Sequence, residues 1–233
     1  MTAAPRRGTA ARPWLLAIDS ATSTVVVAAG TPDGRPVAIE TFAAGHHHSE
    51  HLLPALERLV ERAGLSLPSL ASIIVGTGPG AFTGLRVGLA VAKTLAHQLG
   101  IPITGVSTAQ ALLAAAGPGD DLRLWLPAGA HDRLVVDPGL PPRRERGVDD
   151  DGTARRTEIA VDLPGRASEA ALARGRVAVE GLPAALLTLG ADRLARGETD
   201  DPERIVPEYV TPPRGMDPRL DLERGLAWSR DPR

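Results

Sequence analysis

The chain has 233 residues, 43% hydrophobic and 23% charged, enough to bury the core of one large domain or two small ones. A formal net charge of −2 excludes a global basic field that would draw in nucleic acid or an anionic membrane. The absence of cysteine excludes disulfides, thiolate zinc sites and a cysteine nucleophile.

Residues 1–13 carry Arg6, Arg7 and Arg12 with no apolar run or small-residue cleavage site behind them, so they read as a disordered leader. Trp14–Asp19 reads as a buried strand and Val25–Gly30 as a second, joined by the small, hydroxylated run Ser20–Thr24. Neither run is long enough to span a bilayer, and the chain is expected in the cytoplasm with no membrane contact. Thr31-Pro32-Asp33-Gly34 signals a turn, with a third strand at Val37–Phe42. Leu52, Leu53, Leu56, Leu59, Val60 and Ala63 recur at helical spacing, with Ser49 as N-cap and Gly64 as stop. Pro54 makes the first turn irregular or moves the start later. A strand at Ser72–Val75 then runs into the glycine-rich loop Gly76–Thr83, a helix over Gly84–Leu99, a strand at Ile101–Val106 and a helix from Ser107.

This order predicts an α/β domain over residues 14–110, with a mixed sheet covered by helices. Residues 111–210 read as a second domain whose last helix packs back on the first. Asp121–Leu126, Leu134–Val136, Glu158–Val161 and Val177–Glu180 are its expected strands, and Leu182–Gly197 its helix. Pro138–Arg156 reads as a mobile loop and residues 211–233 as a disordered tail. No internal repeat is visible in the sequence.

The loop Gly76-Thr77-Gly78-Pro79-Gly80-Ala81-Phe82-Thr83-Gly84 is no Walker phosphate loop, since no Lys-Ser/Thr pair follows the glycines. It lacks the acidic residue that a dinucleotide fingerprint places about 20 residues on. A tight turn without ligand and an anion-binding helix start both remain. In the helix behind it, Gly84, Gly88, Ala92 and Ala96 form a stripe of small residues that suits close packing, on the chain's own sheet or on a partner helix. Asp19 ends an apolar strand, where it caps a turn or orients a metal or phosphate.

Leu16-Ala17-Ile18-Asp19-Ser20-Ala21-Thr22, the block Gly76–Gly88 and Gly105-Val106-Ser107-Thr108 together resemble the TsaB family, also called YeaZ. The likeness is collinear from Leu15 to about Ala116 and returns at Pro207-Glu208-Tyr209-Val210. It implies a two-domain actin-like fold, of the ASKHA and ribonuclease-H-like kind, and a non-catalytic subunit of tRNA threonylcarbamoyladenosine synthesis. The implied partners are the paralogue TsaD as a heterodimer, the ATPase TsaE and, through them, tRNA; alone, the chain is expected to be able to form a homodimer. The family's pairing surface includes its first two helices, which makes Gly84, Arg86, Gly88 and Ala92, with Leu52 and Leu56, partner-facing candidates. Asp19, Thr22, Gly78 and Gly80 are candidates for a vestigial nucleotide crevice. No cofactor of its own is expected, with ATP or ADP and magnesium shared with the complex. The second half departs from the family, with Gly129-Ala130-His131 and Leu134-Val135-Val136 where Asp-Ala-Arg and Glu-Val-Tyr are usual.

The catalytic paralogue holds a metal through a histidine pair on the helix after its fifth strand, whereas here that helix begins Ser107-Thr108-Ala109-Gln110-Ala111-Leu112. His46, His47, His48 and His51 lie elsewhere and read as solvated loop histidines, so no metal is expected. The alternative class is a free-standing nucleotide-binding protein or kinase-like ATPase, using Asp19 with Asp132, Asp137 or Asp162. The stretch Arg143, Arg144, Arg146, Arg155 and Arg156 is interleaved with acids, and direct tRNA contact there is expected to be weak.

Overall fold

The computed structural model describes residues 12–43, 48–146 and 156–208. β1 (Trp14–Asp19), β2 (Thr24–Gly30) and β3 (Pro36–Ala43) form an antiparallel meander, as their β-branched runs and the Thr31–Gly34 turn require. α1 (His48–Arg62), β4 (Leu70–Gly78), α2 (Phe82–Leu99), β5 (Ile103–Ser107) and α3 (Thr108–Ala115) follow. β4 and β5 add in parallel, giving the order β3-β2-β1-β4-β5.

The second half contributes β6 (Leu122–Pro127), β7 (Asp132–Val136), β8 (Arg143–Arg146), β9 (Thr157–Ala160) and α4 (Glu169–Ala195). Its sheet runs β8-β7-β6-β9, with β6 and β7 antiparallel and β6 and β9 parallel. Third, second, first, fourth is also the order of the first four strands of the other sheet. The chain therefore repeats a topology that leaves no trace as a sequence repeat.

Several boundaries move. Pro54 lies inside α1 rather than at its start. β4 runs on through Gly78, so much of the glycine-rich loop is strand, and the Gly78–Pro79 peptide is cis. β8 falls within the stretch read as a loop, whose residues 147–155 lie outside the described ones. Val177–Glu180 is not a strand but part of the 27-residue α4. Gly175 and Gly181 are packing positions within it. A Cβ on Gly175 would overlap the Ala160 carbonyl, and one on Gly181 would stand 3.0 Å from Ala115.

α4 starts at Ser168, whose hydroxyl accepts from the Ala171 amide at 3.2 Å. It then lies between the two sheets. Leu182, Leu186 and Leu187 are fully buried in a core shared by Leu15, Ala17, Val26 and Ile74 of the first sheet and Leu124, Leu134 and Ile159 of the second. A separate core on the outer face of the first sheet joins Leu16, Ile18, Val25 and Val75 to α1 and α2. No helix among the described residues is long and apolar enough to cross a membrane.

Gly175→Ala forces a methyl into the Ala160 backbone, which cannot swing aside as a side chain would. It is expected to lower unfolding stability by at least the ~1–3 kcal/mol of an overpacked core, read as a fall in the urea midpoint. An unchanged midpoint would mean that α4 shifts freely on β9.

Candidate functional site

Asp19 ends β1 fully buried. One carboxylate oxygen accepts the Thr108 hydroxyl at 2.6 Å, and the other accepts the Ala21 amide at 2.8 Å. Thr108 Oγ1 in turn accepts from the Gly78 amide at 3.0 Å. Gly76 is required beneath this cluster, because a Cβ there would overlap Asp19 Oδ2. Burial pushes the Asp19 carboxyl up to about 6, against the opposing bonds from Thr108 and Ala21.

The four residues proposed for a nucleotide crevice do come together, but packed against one another. Thr22 is buried and gives its hydroxyl to the Thr24 carbonyl at 2.8 Å. Gly80 sits on the Ala21 carbonyl, where a Cβ would overlap it, and the Ala81 amide donates to that carbonyl at 2.7 Å. Gly78 adopts φ 99° under Leu85. A magnesium–nucleotide group needs open carboxylate oxygens and free amides, and those of Asp19 and Ala21 are already engaged. These residues therefore do not fit such a group. The acids considered for a kinase-like site are also engaged: Asp132 by Arg144, Asp137 by Arg123, Arg143 and Arg156, and Asp162 by Ser23. Burial pushes the Asp137 carboxyl upward, but Arg123 and Arg143 outweigh it and hold the group below its ordinary range. Arg143 and Arg144 of the basic stretch are thus spent on the chain's own carboxylates.

The small-residue stripe of α2 turns inward, which corrects its assignment as a partner-facing surface. Ser20 Oγ donates to the Gly84 carbonyl at 2.7 Å, and a Cβ on Gly88 would overlap the same hydroxyl. Ala92 is fully buried, and Leu52 and Leu56 are in the outer core beside it. The reason is steric: glycine and alanine let α2 lie close on β1, which is the own-sheet reading of the stripe. Of the six candidates only Arg86 is exposed, its guanidinium 5.2 Å from the Phe82 ring centre. The outward side of this helix pair carries Ala90 and Thr94, exposed, with half-buried Val87 and Val91, and Leu53 of α1 is 47% exposed.

Of the histidine cluster, His46 and His47 lie outside the described residues, while His51 is exposed and meets the Phe42 ring edge-on at 6.0 Å. Thr77 and Glu208 were not singled out by sequence. They meet at the carboxyl ends of β4 and β5 beside a cleft of about 630 Å³. A glutamate inside the Pro207–Val210 segment was the only available signal.

The family model for TsaD, tRNA N6-adenosine threonylcarbamoyltransferase, matches residues 42–136. The tRNA threonylcarbamoyladenosine biosynthesis protein TsaB of Bacillus subtilis is 36% identical over 100 residues, which cover 43% of this chain and 43% of that protein. Its Escherichia coli namesake is 36% identical over 94 residues, 40% of each chain. The aligned segment thus spans less than half the length of these curated relatives. YeaZ from Pseudomonas aeruginosa has the same fold, with a TM-score of 0.63 at 24% identity over 85% of this chain and 100% of that one. Over the aligned segment the chain is similar to the TsaB family. Its two mixed sheets flanked by helices are those of the actin-like α/β fold.

Two measurements check this reading of the core. Gly88→Leu is expected to unfold the chain at lower urea rather than act at a surface, by more than the ~1–3 kcal/mol of ordinary overpacking. For Asp19, the folded carboxyl titrates near 6 and the unfolded one near 3.8. The native state therefore holds the proton more tightly, and the contribution is full below about pH 4 and lost as pH rises through about 6. Asp19→Asn carries no charge, so the wild-type stability minus that of Asp19→Asn should fall by about 2 kcal/mol between pH 4 and pH 7. Parallel pH profiles would mean that the carboxyl is not desolvated.

Proposed function

We propose that the chain is a non-catalytic subunit of the tRNA threonylcarbamoyladenosine machinery, pairing with a TsaD-type transferase that modifies the adenosine next to the anticodon. The observation that carries this is the likeness to the two TsaB proteins, together with a TsaD-family match that runs from the end of β3 through α1, α2 and α3. A subunit that shares this segment with the enzyme is suited to pair with it pseudo-symmetrically. The start of α3 supports a non-catalytic role, since Thr108-Ala109-Gln110-Ala111-Leu112 offers no histidine where the enzyme holds its metal.

The pairing face in this proposal is the outward side of α1 and α2, around Leu53, Arg86, Val87, Ala90 and Val91. Small and apolar groups there leave room for a second pair of helices, with Arg86 at the rim. The same reading brings in a TsaE-type ATPase and reaches tRNA through the partner. It gives the chain no cofactor of its own, with any ATP or ADP and magnesium shared with the complex. It places the chain in the cytoplasm, where tRNA is modified, and lets the pairing face hold a second copy when the partner is missing.

The test is size-exclusion chromatography with light scattering, on the chain mixed with the TsaD subunit of the same organism. A one-to-one complex is expected. Ala90→Arg, at an exposed position, should weaken it at least about tenfold while leaving the urea midpoint unchanged. Two independent peaks at micromolar concentrations would reject the pairing, and a complex indifferent to Ala90→Arg would reject the face.

A further inference from the structure

Beyond α4 the chain returns to the first sheet as a strap. Asp200 bridges to Ile103, and its carboxylate accepts the Gly105 amide at 2.7 Å. Arg193 donates to the Gly105 carbonyl and pairs with Asp200 at 3.2 Å. Ile205 is buried in the outer core, and Lys93 of α2 donates to its carbonyl at 3.2 Å. The strap then reaches Glu208, whose amide donates to the Thr77 carbonyl at 2.7 Å. Its carboxylate accepts from Thr77 Oγ1 at 2.5 Å and from Ser107 Oγ at 3.2 Å. These carboxylate contacts are hydroxyls, not cations, and burial pushes the Glu208 carboxyl upward against them.

From this point a continuous set of hydrogen bonds runs to the start of α2. Ser107 Oγ also lies 3.1 Å from the Gly78 carbonyl, sharing its single proton between that carbonyl and Glu208, and the Gly78 amide donates to Thr108 Oγ1. Thr108 donates to Asp19, Asp19 accepts the Ala21 amide, and the Ala21 carbonyl accepts the amide of Ala81, the residue that caps α2. The Ser107–Glu208 contact is exposed, whereas the Thr77–Glu208 bond is part-buried and the links from Ser107 through Gly78, Thr108 and Asp19 to the Ala21 amide are buried or part-buried, so breaking one of these leaves polar groups that water cannot easily reach.

We propose that Glu208 is a positioning residue for the pairing face: by clamping Thr77 and Ser107 it fixes the Gly78–Ala81 segment and, through it, the angle at which α2 leaves the sheet. This rests on the pairing proposed above. The strap then does more than cover the edge of β5, since its far end sets the first turn of α2, directly before Arg86 and Val87 begin the outward face.

The test uses the full chain with Glu208→Ala and Glu208→Gln, read by amide hydrogen exchange at residues 81–85 and by calorimetric affinity for the TsaD subunit. Glu208→Ala is expected to speed exchange in that turn about tenfold and to weaken pairing about tenfold. Glu208→Gln keeps an acceptor for Thr77 and should stay within about threefold of wild type in both. Unchanged exchange at 81–85 in Glu208→Ala, or an equal rise across β1 to β5, would overturn the proposal. If Glu208→Ala fails to fold, Thr77→Val removes the opposite side of the clamp at similar volume and must show the same local pattern. If wild type does not pair, the proposed function falls, while the exchange result still decides whether Glu208 holds α2.

Discussion

The buried carboxylate of Asp19 is the constraint around which the first half of the molecule is arranged. It stands at the end of β1 with Thr108 on one oxygen and the Ala21 amide on the other, so β1, its following turn and α3 meet on a single group. Gly76 has no side chain because this carboxylate occupies the space. Gly78 and Gly80 then bend the chain past Leu85 and Ala21 and hand it to α2. Small residues on α2 allow it to settle on the same strand end, where Ser20 holds the Gly84 carbonyl. A motif that looks like a ligand loop in sequence is, in three dimensions, a tightly filled joint. Among the described residues, that filling occupies the strand end where the sequence motif suggests an open phosphate site.

α4 makes the second constraint. Its leucines meet residues of both sheets in one core, so the two topologically similar halves do not behave as beads on a string. The strap after α4 then ties back to β5, Thr77 and α2. The second sheet is braced differently, by ion pairs on its own strands. Asp137 gathers Arg123, Arg143 and Arg156, and Arg133 lies over the Trp125 ring at 3.9 Å. Arg143, Arg144 and Arg156 of the arginine-rich stretch are paired with the chain's own carboxylates.

Legibility followed locality. The meander β1–β3 could be read because alternation, β-branched residues and a Pro-Asp-Gly turn all act within a few positions. The restrictive Gly76–Gly88 block carried the family likeness, and Gly76, Gly78, Gly80 and Gly88 in it each answer a steric demand that few substitutions satisfy. What could not be read were demands set by distant partners. Gly175 looks like a helix breaker until Ala160 is seen against it, 15 positions earlier in the chain. Gly88 looks equally suited to a partner helix or to β1, and only the position of Ser20 decides. The Glu208 contacts span 131 and 101 positions, with no periodic pattern to announce them.

The first sheet ends differently on its two sides. The β5 border is covered by the strap through Asp200 and Gly105, whereas among the described residues β3 pairs with β2 alone and leaves Val37 and Ile39 about half exposed. A sheet with one sealed border can extend by strand addition in a single direction. Two copies joined there would close on each other through a twofold and present no further strand to add. Strand addition to this sheet would therefore stop at two copies, because the strap occupies the opposite border.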